Sequence, residues 1–258
     1  MKQIATALVL VGLFSAACGG DGNGGGDTAG NVVISAADAD RVAHAGLPAI
    51  EDLPGSDWLI TGEDEFSSGG GSDFLEFIEG NPECETLENL AALEGVFGGA
   101  EEDEPPIGQA QVEFEQQDPD ALIPTNVEIS IEVDQSSAGS RAQFALVRDL
   151  FESDQTSDCL ISVLNAQFAE TGPGGLQIEV KKGSGSASAP QDGARMAFDV
   201  EMSFAGIEFQ LAMQLYFWPY GNANVQALFL GTKDMLNGDL VGGVLDAVDA
   251  NLEAAAGE

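Results

Sequence analysis

The chain of 258 residues holds one histidine, His44, and three cysteines, Cys18, Cys84 and Cys159, amid 44 Asp and Glu. Catalysis of the Ser-His-Asp type would have to run through His44. That residue follows Val42 and Ala43 with no nucleophile nearby, and no GxSxG occurs anywhere. A zincin helix needs two histidines and is impossible here. Paired carboxylates can hydrolyse glycosides, but among 44 acids some pair lies close in any fold, so their presence singles nothing out. The run Glu101-Glu102-Asp103-Glu104 can attract Ca²⁺, yet no DxDxDG loop orders its ligands. The residues therefore point away from an enzyme, a metal centre or a bound cofactor, with a carboxylate-based hydrolase kept as a secondary alternative.

The cysteines suggest an address instead. Lys2 and the apolar run Ile4 to Phe14 precede Ser15-Ala16-Ala17-Cys18. That is the layout of a signal peptide over 1–17, and the run is shorter than the roughly 20 residues that span a bilayer. Ser15-Ala16-Ala17-Cys18 resembles the bacterial lipobox, whose cysteine takes lipid and becomes the new N-terminus. The resemblance implies a membrane anchor on Cys18. The alternative is plain secretion with cleavage after Ala17. Residues 18–31 then form a glycine-rich tether. Gly20, Gly22 and Gly25 in it match GxGxxG without the strand and helix that a phosphate loop requires. If Cys18 is lipidated, Cys84 and Cys159 are left to pair outside the cytoplasm. Metal binding or catalysis by those two is the competing reading, but neither sits in a CxxC and His44 has no local ligand partner.

Charge narrows the partners. With 8 Lys and Arg the net charge is −36, which argues against nucleic acid and against electrostatic docking on anionic lipid. After Cys18 there are 44 acids and 7 bases, a net of −37, and no Lys or Arg lies between Arg41 and Arg141. Such an excess is expected of a surface adapted to high salt, where screening removes self-repulsion. A basic partner would select for it too. Hydrophobic residues still make up 44%, including 14 Phe, so a packed core is expected.

The elements follow from periodicity. A short helix is expected over Ala36 to Ala45, then a strand at Trp58 to Thr61. Asn81-Pro82 starts a helix with Cys84 in its first turn and Leu87, Leu90, Ala91 and Leu93 on one face. Val112 and Phe114 alternate with glutamates, as do Val127, Ile129, Ile131 and Val133 with Glu128, Ser130 and Glu132. A helical stretch from about Gly139 to Glu170 breaks near Ser153 to Ser157. Leu176 to Val180, Met196 to Phe204, Ile207 to Phe217 and Val225 to Leu230 read as a meander with one apolar face. Leu240 to Leu252 closes the chain as an amphipathic helix. The expected fold over 32–258 is a single α+β domain: a curved antiparallel sheet with helices packed on it and one interhelical disulfide, Cys84–Cys159. Tyr216 and Trp218, with Tyr220 at the turn, make a possible contact patch for a partner or ligand.

This order of elements, with Leu53-Pro54-Gly55 near its start and cysteines in the helices, is similar to that of actinobacterial cell-surface lipoproteins and the extracellular sensor domain of PknH-like kinases. The resemblance implies a sheet of the PsbP/MOG1 type and a non-catalytic, extracytoplasmic binding or sensor-like domain for an unidentified protein or small molecule. Lipid-carrying lipoproteins of the LppX/LprG kind are a second resemblance. They imply a carrier with an acyl-chain pocket on the concave face of the sheet.

Overall fold

Alternating sequence becomes strand at seven places among the described residues: β1 (Trp58–Glu63), β2 (Gly108–Gln116), β3 (Thr125–Val133), β4 (Leu176–Lys182), β5 (Ala194–Phe204), β6 (Ile207–Tyr220) and β7 (Ala223–Thr232). Helices α1 (Ala36–Gly46), α2 (Ser137–Glu152), α3 (Asp154–Thr171) and α4 (Gly238–Ala256) complete the α+β fold. The computed structural model describes residues 33–63, 81–84, 106–117, 123–171, 176–204 and 206–256. The signal-like run 1–17, Cys18 and its tether, the helix expected after Pro82 and the acidic run 101–104 lie outside these residues, apart from Asn81 to Cys84.

The strands form one sheet in the order β1-β2-β3-β7-β6-β5-β4, every neighbouring pair antiparallel. After β3 the chain crosses through α2 and α3 to the far edge, then returns as a four-strand meander whose last member closes on β3. Tight turns make the meander possible. Gly206 and Gly221 hold φ of 83° and 60° between β5 and β6 and between β6 and β7, a left-handed backbone that glycine adopts without strain.

Local chemistry sets the helix ends. Ser35 caps α1 by accepting from Asp38 N at 3.3 Å, and Ser136 caps α2 by accepting from Gly139 N at 3.2 Å. The break expected between 153 and 157 falls at Ser153. Its N–H bonds Leu150 O and closes α2, while its Oγ accepts from Thr156 N in the first turn of α3.

One expectation needs correcting: the sheet has two apolar faces. Along β6, Ala212, Tyr216 and Trp218 enter one core, and Leu211, Leu215 and Phe217 enter another. Successive strand residues point to opposite sides, so these cores lie on opposite faces. On the first, α1 and α4 pack against β1, β2, β3, β6 and β7 through residues such as Val127, Ile129, Phe229, Val241 and Val248. On the second, α2 and α3 cover β4 to β7, and Phe144 stacks on Phe217 with centroids 6.1 Å apart. The helices divide between the two faces because each carries an apolar stripe that only sheet can bury.

The disulfide joins Cys84, in the turn of residues 81–84, to Cys159 of α3, with Cα atoms 4.9 Å apart. Both cysteines are buried in the second core. The same turn is held by Asn81, whose Nδ2 donates to Ser162 Oγ at 2.9 Å. No helix among the described residues is long and apolar enough to cross a membrane.

Candidate functional site: a carboxylate and amide ladder on β2 and β3

The second face changes character along the sheet. Beneath α2 and α3 it is apolar, but at β2 and β3 it carries Gln109, Gln111, Glu113 and Glu115 opposite Glu132, Ser130, Glu128 and Asn126. Alternation places all eight on the face away from α1, because Ala110, Val112, Phe114, Ile129 and Ile131 fill the core on the α1 side. On the other flank of β3, Gln226 and Leu228 of β7 stand beside Ser130 and Glu128.

This polar face is not simply in water. Gln111 is 8% exposed, Ser130 6% and Asn126 8%, and the four glutamates are half-buried. Glu113 and Glu128 are direct cross-strand partners, which sets their Cβ atoms roughly 5 Å apart. Burial first, and the negative charge of Glu113 second, raise the Glu128 carboxyl from its ordinary 4.5 to about 7. Gln111 Nε2 donates to Glu128 Oε1 at 2.6 Å. Gln111 Oε1 is buried with no hydrogen-bond partner. Glu113 leans over Gly62 of β1: a Cβ at that glycine would come within 3.3 Å of Glu113 Oε2.

Chemically, the ladder offers carboxylate acceptors, amide and hydroxyl groups that both donate and accept, and one carboxyl that carries its proton near neutral pH. A retaining or inverting glycosidase sets two carboxyls on either side of a scissile bond. Here the pair stands side by side on one sheet surface. Among the described residues no group of three or more His, Cys, Asp or Glu is placed to hold a metal ion.

The residues singled out from sequence are distributed differently. Cys18 and Glu101 to Glu104 lie outside the described residues. Cys84 and Cys159 are bridged. His44 is exposed on α1, with Nδ1 2.9 Å from Asp40 O and 3.6 Å from Asp40 Oδ1. The aromatic contact patch is corrected: Tyr216 and Trp218 are 0% exposed and belong to the first core, while Tyr220 packs half-buried against it. Segment 183–189 lies over Tyr216, and Trp218 belongs to the core that α1 and α4 close. Tyr216 Oη donates to Gln214 Oε1 at 2.8 Å, and Ser186 donates to that same oxygen through N and Oγ at 2.8 and 3.0 Å. Ala187 N donates to Tyr216 Oη at 3.3 Å, and Arg195 Nη1 donates to Ala187 O at 2.5 Å.

No family model matches the chain, and no curated protein matches it. Among solved structures it is similar to the extracellular domain of PknH from Mycobacterium tuberculosis. The identity is 9%, the match covers 87% of this chain and 100% of that chain, and the TM-score is 0.45. Likeness at that level leaves ligand and activity to be argued from this chain's own residues.

Sequence reasoning missed Gln111, Glu113 and Glu128 as a group, because alternation with valine and isoleucine reads as a solvent-facing side. A signal was present. Two neighbouring strands put glutamates on one face, and no Lys or Arg between Arg41 and Arg141 can pair with them across the ladder.

Proposed function

We propose that the protein is an extracytoplasmic lipoprotein, anchored to the membrane through lipid on Cys18, whose folded part is a non-catalytic binding domain with a surface adapted to high salt. The observation that carries this reading is the Cys84–Cys159 bridge. Disulfides persist in oxidising compartments. The bridge leaves Cys18, at the lipobox position, as the one cysteine outside it. The binding role is supported by the half-buried ladder of carboxylate, amide and hydroxyl groups on β2 and β3.

Labelling of expressing cells with an alkyne fatty acid tests the anchor. The label is expected on the wild type and on a Cys84→Ser/Cys159→Ser double variant. It is expected to be lost from Cys18→Ser, with that protein released from the membrane fraction. An unmodified N-terminus in the mature wild type, read by mass spectrometry, overturns the anchor. Co-purifying acyl lipid in native mass spectra would instead favour the carrier.

A carboxylate-based hydrolase is the second reading, and one observation favours it: Glu128 holds a proton near neutrality beside Glu113. Turnover on a glycan or ester panel that disappears in Glu128→Gln would establish it and overturn the non-catalytic reading.

A further inference from the structure

The two edges of the sheet differ in how they meet a further strand. At the β4 edge, Asn165 of α3 lays its carboxamide along Val180: Nδ2 donates to Val180 O at 3.0 Å, and Oδ1 accepts from Val180 N at 2.7 Å. A neighbouring strand would make the same two bonds, so the side chain takes its place. Glu179, Lys181 and Lys182 add exposed charge along β4, which discourages another chain from pairing there. The β1 edge has neither device among the described residues. Trp58 to Gly62 carries no charge, and Leu59 and Ile60 are 47% and 46% exposed. Gln117 N donates to Asp57 O at 3.0 Å, which makes Asp57 and Gln117 a hydrogen-bonded pair. Such pairs alternate along an antiparallel ladder, so Leu59 turns its backbone to β2 while Trp58 and Ile60 turn N–H and C=O outward. Among the described residues no strand lies on that side. The register shifts between Ile60 and Gly62, which keeps the regular stretch short.

We infer that the β1 edge binds an extended basic segment of a partner protein, which adds to the sheet as a further strand beside Trp58 to Ile60. The backbone of that segment completes the ladder at Trp58 and Ile60. Its alternate apolar side chains cover Ile60 on the α1 side of the sheet and Leu59 on the other. Charge selects its flanks. Exposed Asp57 and Glu63 bracket the stretch, Glu115 stands opposite Leu59, and no Lys or Arg lies between Arg41 and Arg141. A second copy of this chain would bring the same carboxylates against these, and the short regular stretch gives it little ladder in return. Only the carboxylates beside β1 serve the segment; the rest of the acidic surface is left to the saline environment.

This inference rests on the binding-domain reading and adds the surface and partner class to it. The test is fluorescence anisotropy of a labelled KKVTIVKK peptide titrated with the full chain in about 0.5 M NaCl, where diffuse attraction to the acidic surface is screened. Saturable binding is expected. The same peptide N-methylated along its central residues keeps its charge and side chains but loses its ladder donors, and should bind at least about tenfold more weakly. EEVTIVEE, with its flanking charges opposed, should also bind about tenfold more weakly. In the protein, Ile60→Pro removes an N–H that faces away from β2, a place where an edge strand tolerates proline. It should abolish saturable binding while the urea midpoint stays close to that of the wild type. A Leu59→Lys/Ile60→Lys double variant, with the backbone intact, should weaken binding at least about tenfold. Ile207→Lys, at an exposed apolar position on β6, should leave it unchanged. Equal binding of the N-methylated peptide or of EEVTIVEE overturns the proposal. So does an unchanged affinity in both β1 variants with native circular dichroism. A dimer in sedimentation runs that Ile60→Pro abolishes would give the edge to a second copy and overturn it too. None of these outcomes touches the lipid label on Cys18 or the glycan and ester panel, so failure of the edge and failure of the proposed function are separable.

Discussion

Glu113 of β2 and Glu128 of β3 face each other directly across the antiparallel ladder, two half-buried carboxyls on the side of the sheet away from α1. Burial, and after it the charge of Glu113, holds the Glu128 carboxyl at about 7 in the folded chain, against 4.5 ordinarily. Between those values the folded state binds the extra proton, so stability falls as pH rises from 4.5 through 7 and levels off above. Glu128→Gln keeps the shape and the neutral form at every pH. It should therefore stabilise the protein by on the order of 2–3 kcal/mol at pH 8 and by nothing measurable at pH 4. Urea midpoints at the two values decide this, and an equal effect at both would mean that the carboxyl is not held neutral by its surroundings.

Gly108 marks the closest approach of helix to sheet on the first face. A Cβ there would sit 2.4 Å from Ala39 C and 2.5 Å from Asp40 N, both backbone atoms of α1 that cannot rotate away. Gly108→Ala must push α1 off β2, and overpacking of this kind costs about 1–3 kcal/mol. The loss should appear in thermal melts. Gly242→Ala, in α4 where nothing lies within 4 Å, should be neutral or stabilising by comparison.

Trp218 and Tyr216 separate a core from a contact surface. Both are fully buried, so Trp218→Ala should cost about 3–5 kcal/mol of stability. Tyr216→Phe removes the hydroxyl that links Gln214 to Ala187 and should cost about 1 kcal/mol. A Trp218→Ala variant with an unchanged urea midpoint would return these aromatics to the surface.

The Cys84–Cys159 bridge ties the turn at 81–84 to α3 across a separation of 75 residues. Closing a loop of that length lowers the entropy of the unfolded chain by an amount worth about 4 kcal/mol. Replacing both cysteines by serine should lower the urea midpoint by about that energy divided by the measured m-value. The drop should match that of the wild type under reducing conditions.

Much of this fold is legible in the chain because strand alternation and caps are local. Val127 to Val133 declares β3 and its period, and Gly206 and Gly221 mark the turns. What alternation does not reveal is whether the polar side of a strand meets water or a second layer. Glu128 and Glu201 sit in similar patterns, each polar between aliphatic neighbours, yet Glu128 is shifted by burial while Glu201 is exposed enough to pair with Lys181 at 2.8 Å. That difference arises from what packs over the sheet, which is non-local. For the same reason Tyr216 and Trp218 read as a contact patch: segment 183–189, rich in Gly, Ser and Ala, carries no sign that it folds over Tyr216.

The charge asymmetry makes the final prediction, that molar salt stabilises this protein by screening. In the C-terminal part Lys181 pairs with Glu179 and Glu201, Lys182 with Asp154 and Lys233 with Asp199, so the lysines there are already engaged. Residues 18–158 hold 32 acids and 3 bases, which leaves most of their carboxylates without a basic partner in the chain. At 1 M salt the Debye length falls to about 3 Å, shorter than most spacings between surface charges, and the repulsion that favours the unfolded chain is removed. A gain of a few kcal/mol, at roughly 2–4 °C per kcal/mol for a chain of this size, puts the rise in Tm near 10 °C. Screening saturates by about 0.5 M, whereas general salting-out keeps growing with concentration. The curve of Tm against NaCl should therefore climb steeply and then flatten. A Tm that stays level from 0.05 to 1 M would show that the acidic surface serves a basic partner and not a saline environment.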